Sequence, residues 1–135
     1  MPITTLYAAL LTPLLVVLIF RVVGARRSGS VEIGDGGDRA LLRRMRCHAN
    51  FVETVPMALI LMGLAESLKA PAPVLHAIGA ALLVGRIVHA YALAQEPHIL
   101  RLRIAGMVLT LTAITLAAGV GLIRALAAGA LRPFV

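Results

Sequence analysis

At 135 residues, 60% apolar, 14% charged and with a mean hydropathy of +0.95, the chain is short enough for one domain and too apolar for an ordinary soluble one. Its net charge of +7 does not point to nucleic acid: the arginines are not gathered on a soluble unit, and two Tyr, three Phe and no Trp leave little to stack on bases. The single cysteine, Cys47, excludes an internal disulfide and a multi-cysteine metal site.

Residues 3–20 carry no charge and end at Arg21, close to the ~20 residues that cross ~30 Å of hydrocarbon. This start lacks the basic lead and small-residue cleavage site of a signal peptide, so it is expected to stay as a span, about 3–21, kinked at Pro13. Arg26, Arg27, Ser28, Gly29 and Ser30 then leave the bilayer, and Gly34-Asp35-Gly36-Gly37-Asp38 forms a turn. Asp38 is the expected N-cap of the next helix. The glycines do not make a phosphate loop, because neither the GxxxxGK[ST] pattern nor a preceding strand is present.

The second helix is expected over 40–67. Its uncharged part, Thr54 to Ala65, has only 12 residues, so the span must take in Glu53, Asn50 and Arg46. Pro56 is expected to kink it. At about 100° per residue, Arg43, Arg46, Asn50 and Glu53 trace one stripe, while His48 points to another face. Charges at membrane depth are costly, so this stripe must face a partner, a cavity or a site.

Lys69-Ala70-Pro71-Ala72-Pro73 is a stiff turn before a third span, 74–94, interrupted on one face by Arg86 and His89. Gln95-Glu96-Pro97-His98 is a further turn. The fourth span, about 100–123, begins with Arg101 and Arg103 and contains Gly106, Gly119 and Gly121, which suit close helix packing. The segment from Arg124 to Val135 reads as a short tail. The loops on one side of four spans hold nine arginines (Arg21, Arg26, Arg27, Arg39, Arg43, Arg44, Arg46, Arg101 and Arg103), against Lys69, Arg124 and Arg132 on the other. The positive-inside rule places the nine, and the 22–39 loop, in the cytoplasm and both termini on the opposite, periplasmic side.

Several arginines, a carboxylate, an amide and histidines thus converge near one depth. Arginine offers a planar fork for carboxylates, Glu53 can receive an ammonium group, and Asn50 can bind amides. Together they suit a small zwitterion with carboxylates, an amine and peptide bonds, brought to an apolar cosubstrate from the lipid side. A bare packing role, with the stripe salt-bridged internally and Arg86 and His89 as buried partners of Glu53, is the competing reading. Cys47 reads as a packing residue.

The run Arg43-x-x-Arg46-x-His48-x-Asn50-x-x-Glu53, followed by Pro56, resembles the second-helix signature of the MAPEG proteins, the membrane-associated proteins of eicosanoid and glutathione metabolism. Gly85-Arg86-Ile87-Val88-His89 is similar to their third-helix segment, Arg103-Ile104-Ala105-Gly106 to the start of their fourth helix, and the Gly34–Gly37 loop to bacterial members. The resemblance implies an all-α, four-helix integral membrane bundle, one domain over 1–135, assembled as a homotrimer. It implies glutathione bound between subunits by Arg46, Asn50 and Glu53, with Arg43 and His48 near them and Arg86 and His89 in support. Arg103 would stabilise the glutathione thiolate, which would attack a lipophilic electrophile or reduce a hydroperoxide. Arg21, Arg26 or Arg27 would reach a neighbour's ligand. Two positions depart from some members: Leu93 stands where they have tyrosine, with Tyr91 on another face, and Ile104 where they have serine. Both departures argue against prostaglandin-type isomerase chemistry and leave glutathione binding open.

The function expected is therefore a glutathione-dependent transferase or peroxidase in a bacterial inner membrane. The alternatives are a non-catalytic lipid-binding or scaffold protein of the same fold and a small proton-coupled exporter built on Glu53. Small exporters carry their carboxylate in the first helix with few arginines nearby, unlike this chain.

Overall fold

The computed structural model describes residues 1–95 and 99–131. Four helices follow one another: α1 (Pro2–Ser28), α2 (Arg39–Ser67), α3 (Ala72–Ala94) and α4 (Leu100–Ala127). Among the described residues there is no strand. All four are long and apolar enough to cross a membrane, so the chain is a multi-pass, all-α membrane protein.

Each helix buries one stripe at helical spacing. On α1 it is Tyr7, Leu11 and Leu18; on α2 it is Cys47, Phe51, Val55, Ala58, Met62 and Ala65. The α3 stripe runs through Leu75, Ile78, Leu82, Arg86, His89 and Leu93, so two ionisable residues lie on the buried face. The α4 stripe is made of small residues: Gly106, Thr110, Ala113 and Ala117. Without a hydrophobic drive between helices in lipid, small residues matter because they let backbones approach closely. Thr110 satisfies its hydroxyl on its own helix, donating to the Gly106 carbonyl at 2.8 Å. The central pair is α2 and α3. Both α1 and α4 pack against that pair and not against each other. Large side chains such as Phe20, Val17, Leu122 and Ile123 remain exposed on the outer faces, where lipid lies.

The two outer helices run past the expected limits. α1 continues through Arg26 and Arg27 to Ser28, 27 residues in all. At ~1.5 Å per residue that is about 40 Å, longer than the hydrocarbon core, so the helix persists beyond the point where it leaves the bilayer. Arg26 makes that extension useful, donating from Nη1 to the Glu32 carbonyl at 3.0 Å. Similarly, Arg124 is not part of a tail but lies inside α4, where its Nε donates to the Leu68 carbonyl at 2.8 Å. A cation is thereby set at the C-terminal end of α2, where helix carbonyls lack intrahelical partners. Pro13 and Pro56 lie within unbroken helix.

Asp38 caps α2 as expected, accepting from the Ala40 N–H at 2.7 Å. In the preceding loop Gly36 has φ +58, and a Cβ there would strike Val31, so glycine is required twice over. At the opposite end of the molecule the α1 start is held by α2. The Glu66 carboxylate accepts from the Ile3 N–H (2.9 Å), the Thr4 N–H (2.8 Å) and the Thr4 hydroxyl (2.7 Å). Tyr7 lies with its ring over Gly79 and donates from its hydroxyl to the His76 carbonyl at 3.0 Å.

Of the three glycines expected to permit close packing on α4, one does. A Cβ on Gly106 would lie 2.7 Å from the Gly85 carbonyl oxygen, whereas one on Gly119 would meet nothing within 4 Å and one on Gly121 only Ala65 at 4.0 Å. Gly85 is the partner the motif spacing passed over. The Glu96-Pro97-His98 part of the expected turn, and Arg132, lie outside the described residues.

Candidate functional site

Three helices bring polar groups to one groove. Arg46, Asn50 and Glu53 come from α2, His89 from α3 and Arg103 from α4, with Ala49 and Leu93 completing the walls. Its volume is about 270 Å³ and it opens on one side. Arg46, Glu53 and Arg103 are exposed at its mouth, Asn50 is half-buried, and His89 is buried in the wall. At about 100° per residue, Glu53, Arg46 and Asn50 fall within about 60° of one another on α2, so one face carries all three.

Arg43 and His48 are not brought to this groove. Arg43 lies at the edge of the same arc and lines a separate, narrow crevice with Leu18, Arg21, Arg44, Cys47 and Leu93. His48 is half-buried on the other side of α2, as two residues of offset from Arg46 require. Of the first-helix arginines, Arg21 reaches that crevice, while Arg26 and Arg27 line a surface hollow beside Val31 and Glu32. Cys47 is 4% exposed and packs in the core.

Arg86 stands directly behind the groove. Its guanidinium is 1% exposed, and Nη1 donates to the Asn50 side-chain Oδ1 at 2.7 Å, to the Thr54 hydroxyl at 3.1 Å and to the Asn50 carbonyl at 3.3 Å. Arg86 therefore serves Asn50 and Thr54, not Glu53. Thr54 had no sequence signal of its own beyond lying four residues after Asn50, one helical turn away, where its hydroxyl also donates to the Asn50 carbonyl at 2.7 Å.

The position of Arg103 depends on the α3–α4 contact. Gly106 lies one turn beyond Arg103 and seats against Gly85 and the His89 backbone, so the closest approach of the two helices is beside the groove. Leu93 brings an apolar side chain to the wall where a tyrosine would have brought a hydroxyl. Tyr91 is exposed on another face.

The arrangement offers arginine forks and an amide to anionic groups, one carboxylate to a cation, and an imidazole in the wall. Among the described residues no three His, Cys, Asp or Glu side chains gather where a metal ion would be held.

The model of the MAPEG family matches residues 4–123. Two curated relatives, each named inner membrane protein YecN, come from Escherichia coli strains K12 and O6:H1 (CFT073). Each is 37% identical over 114 residues, covering 84% of this chain and 86% of the relative. The matched stretch holds all four helices nearly complete and every residue of the groove. The chain belongs to the MAPEG family.

Proposed function

We propose that the chain is a membrane-bound, glutathione-dependent transferase or peroxidase for lipophilic electrophiles, acting as a homotrimer in a bacterial inner membrane. The observation that carries this reading is the gathering of Arg46, Asn50, Glu53, His89 and Arg103 around one open groove. Glutathione has two carboxylates, one ammonium group and two peptide bonds. Arg46 and Asn50 supply donors for the carboxylates, and Glu53 is the acceptor for the ammonium group. The groove mouth is exposed on the side of the bundle, which suits completion by a neighbouring subunit and access from lipid. The names of the relatives support the inner-membrane location, and the arginine bias of the loops supports periplasmic termini.

Arg103 carries the chemistry. A guanidinium beside the thiol favours the thiolate, which is the nucleophile. In conjugation the sulfur forms a bond to an electrophilic carbon, and the displaced electron pair leaves with the departing group or takes up a proton. In the peroxidase reaction the sulfur attacks a hydroperoxide oxygen, the O–O bond breaks and an alcohol departs. A second glutathione then displaces water to give the disulfide. With Leu93 in the wall, no hydroxyl there assists Arg103, which disfavours isomerase chemistry.

The test is calorimetric titration of glutathione into detergent-purified protein, with Arg46→Ala and Glu53→Gln alongside. The reading expects each variant to bind at least about tenfold more weakly, the loss of one charge-assisted contact. A well-folded wild type that takes up no glutathione refutes it and leaves the scaffold reading, with the polar residues as packing devices.

A further inference from the structure

Asn50 has two ends, and the structure dictates which one the groove sees. Its side chain lines the groove and is also 2.7 Å from Nη1 of Arg86. Arginine has five N–H donors and no acceptor. The atom of the Asn50 amide that faces Nη1 must therefore be the oxygen. With Oδ1 held inward, the –NH2 group is the end left for a ligand.

The restraint is strong because Arg86 has little else to do. It is 1% exposed, and among the described residues its hydrogen bonds all end on one turn of α2, at Asn50 and Thr54. Its Nε and Nη2 are buried without a partner among the described residues. Turning the amide over would set –NH2 against a buried cation, replacing the shortest of its hydrogen bonds with a repulsive contact and leaving Nη1 only the longer bonds to the Thr54 hydroxyl and the Asn50 carbonyl.

We propose that Arg86 is a positioning residue that fixes the Asn50 amide oxygen-inward, so that the groove presents an N–H donor at this point and selects a ligand carboxylate there. Glu53 is then the one carboxylate lining the groove, with Arg46 and Asn50 as donors beside it and Arg103 left to the thiol, a pattern complementary to two carboxylates and one ammonium group. The choice of glutathione as ligand rests on the reading above; the orientation of Asn50 does not.

The discriminating variant is Asn50→Asp. One carboxylate oxygen keeps the bond to Arg86, now as an ion pair, and the other turns a negative acceptor toward the groove. The protein is expected to unfold at a temperature no lower than the wild type. Glutathione affinity is expected to fall at least about tenfold, as a charge-assisted bond becomes a repulsion. Of two analogues, glutathione carrying a carboxamide in place of its glycine carboxylate or in place of its γ-glutamyl α-carboxylate, one is expected to bind Asn50→Asp better than glutathione does, reversing the wild-type order. A merely structural Asn50 would leave that order unchanged. Glutathione affinity within twofold of wild type, or an unchanged order, overturns the proposal.

A second arm needs no ligand. Thermal unfolding of Asn50→Leu, Arg86→Met and the double variant forms a cycle, with Arg86→Leu used if Arg86→Met does not fold. Locking predicts that Asn50→Leu destabilises the wild-type background and has little effect once Arg86 is gone. Additive losses overturn it. If the wild type takes up no glutathione, the function proposed above falls, and this cycle alone decides the role of Arg86.

Discussion

Replacing Gly106 with alanine tests whether the α3–α4 contact sets the groove. An alanine Cβ would lie 2.7 Å from both the Gly85 carbonyl oxygen and the His89 backbone nitrogen, and 2.9 Å from the His89 Cβ. None of these atoms is the far end of a flexible side chain, so relief requires the helices to part. Ordinary contact begins at 3.4 Å, and the separation needed is 3.4 − 2.7 = 0.7 Å. Overpacking of this kind costs about 1–3 kcal/mol. Alanine also gains about 0.5–1 kcal/mol of helix preference over glycine, which partly hides the clash. Gly119→Ala is the internal control, because its Cβ would meet nothing within 4 Å. The difference in unfolding free energy between the two variants isolates the steric term, expected at about 1–3 kcal/mol. Thermal unfolding in detergent measures stability, and glutathione titration measures the site, since parting the helices near Gly106 moves Arg103 away from His89. A sub-ångström shift at a binding group can reduce rates or affinity by one to two orders of magnitude. If Gly106→Ala matches Gly119→Ala in both assays, the close approach does not set the groove.

Four further outcomes follow from residues already placed. Arg103 is exposed and belongs to no buried cluster, so Arg103→Ala should keep its unfolding temperature while losing glutathione conjugation; wild-type turnover would remove it from the chemistry. Glu66→Ala should destabilise the fold by about 0.5–2 kcal/mol through loss of a helix cap and leave glutathione affinity unchanged, because the groove lies elsewhere; unfolding by heat and calorimetry check both halves. Gly79→Ala should be worse than Tyr7→Phe, since the first drives a Cβ into the Tyr7 ring and the second removes only the bond to the His76 carbonyl, worth about 0.5–1.5 kcal/mol. Asp38→Ala should lower stability by about 1 kcal/mol, and Asp38→Asn by much less, because asparagine retains a cap oxygen.

The first and fourth helices were legible because a bilayer imposes a simple rule, that an uncharged run of the right length must cross it; the second and third, cut by Glu53 and by Arg86, were legible only by taking those charges into the span. The same rule misjudged the ends of α1 and α4, since a helix does not stop where hydrocarbon stops, and Arg26 and Arg124 find carbonyl acceptors beyond that boundary. The stripe was legible at Arg46, Asn50 and Glu53, where a single angular period suffices. Arg43 fell outside because it sits at the rim of that arc, and which crevice a rim residue joins depends on α1 and its Leu18 and Arg21. The buried role of Arg86 could not be read from its spacing to His89, because its partners lie 32 and 36 residues earlier on another helix. Glycines behaved the same way. Gly106 and Gly119 look alike in a sequence, and only the rotation of α4 against α3 separates a close contact from an open surface.

The carboxylate that finishes the first turn of α1 belongs to Glu66, 62 and 63 positions after the two backbone N–H groups it accepts. During synthesis the opening helix is threaded into the bilayer long before that acceptor leaves the ribosome. Until α2 is in place, the Ile3 and Thr4 N–H groups at the starting end of α1 lack this acceptor. Arrival of Glu66 then works as a latch that records completion of the first hairpin. A topogenesis intermediate truncated before residue 66 should slide in the bilayer, while one truncated after it should hold its depth.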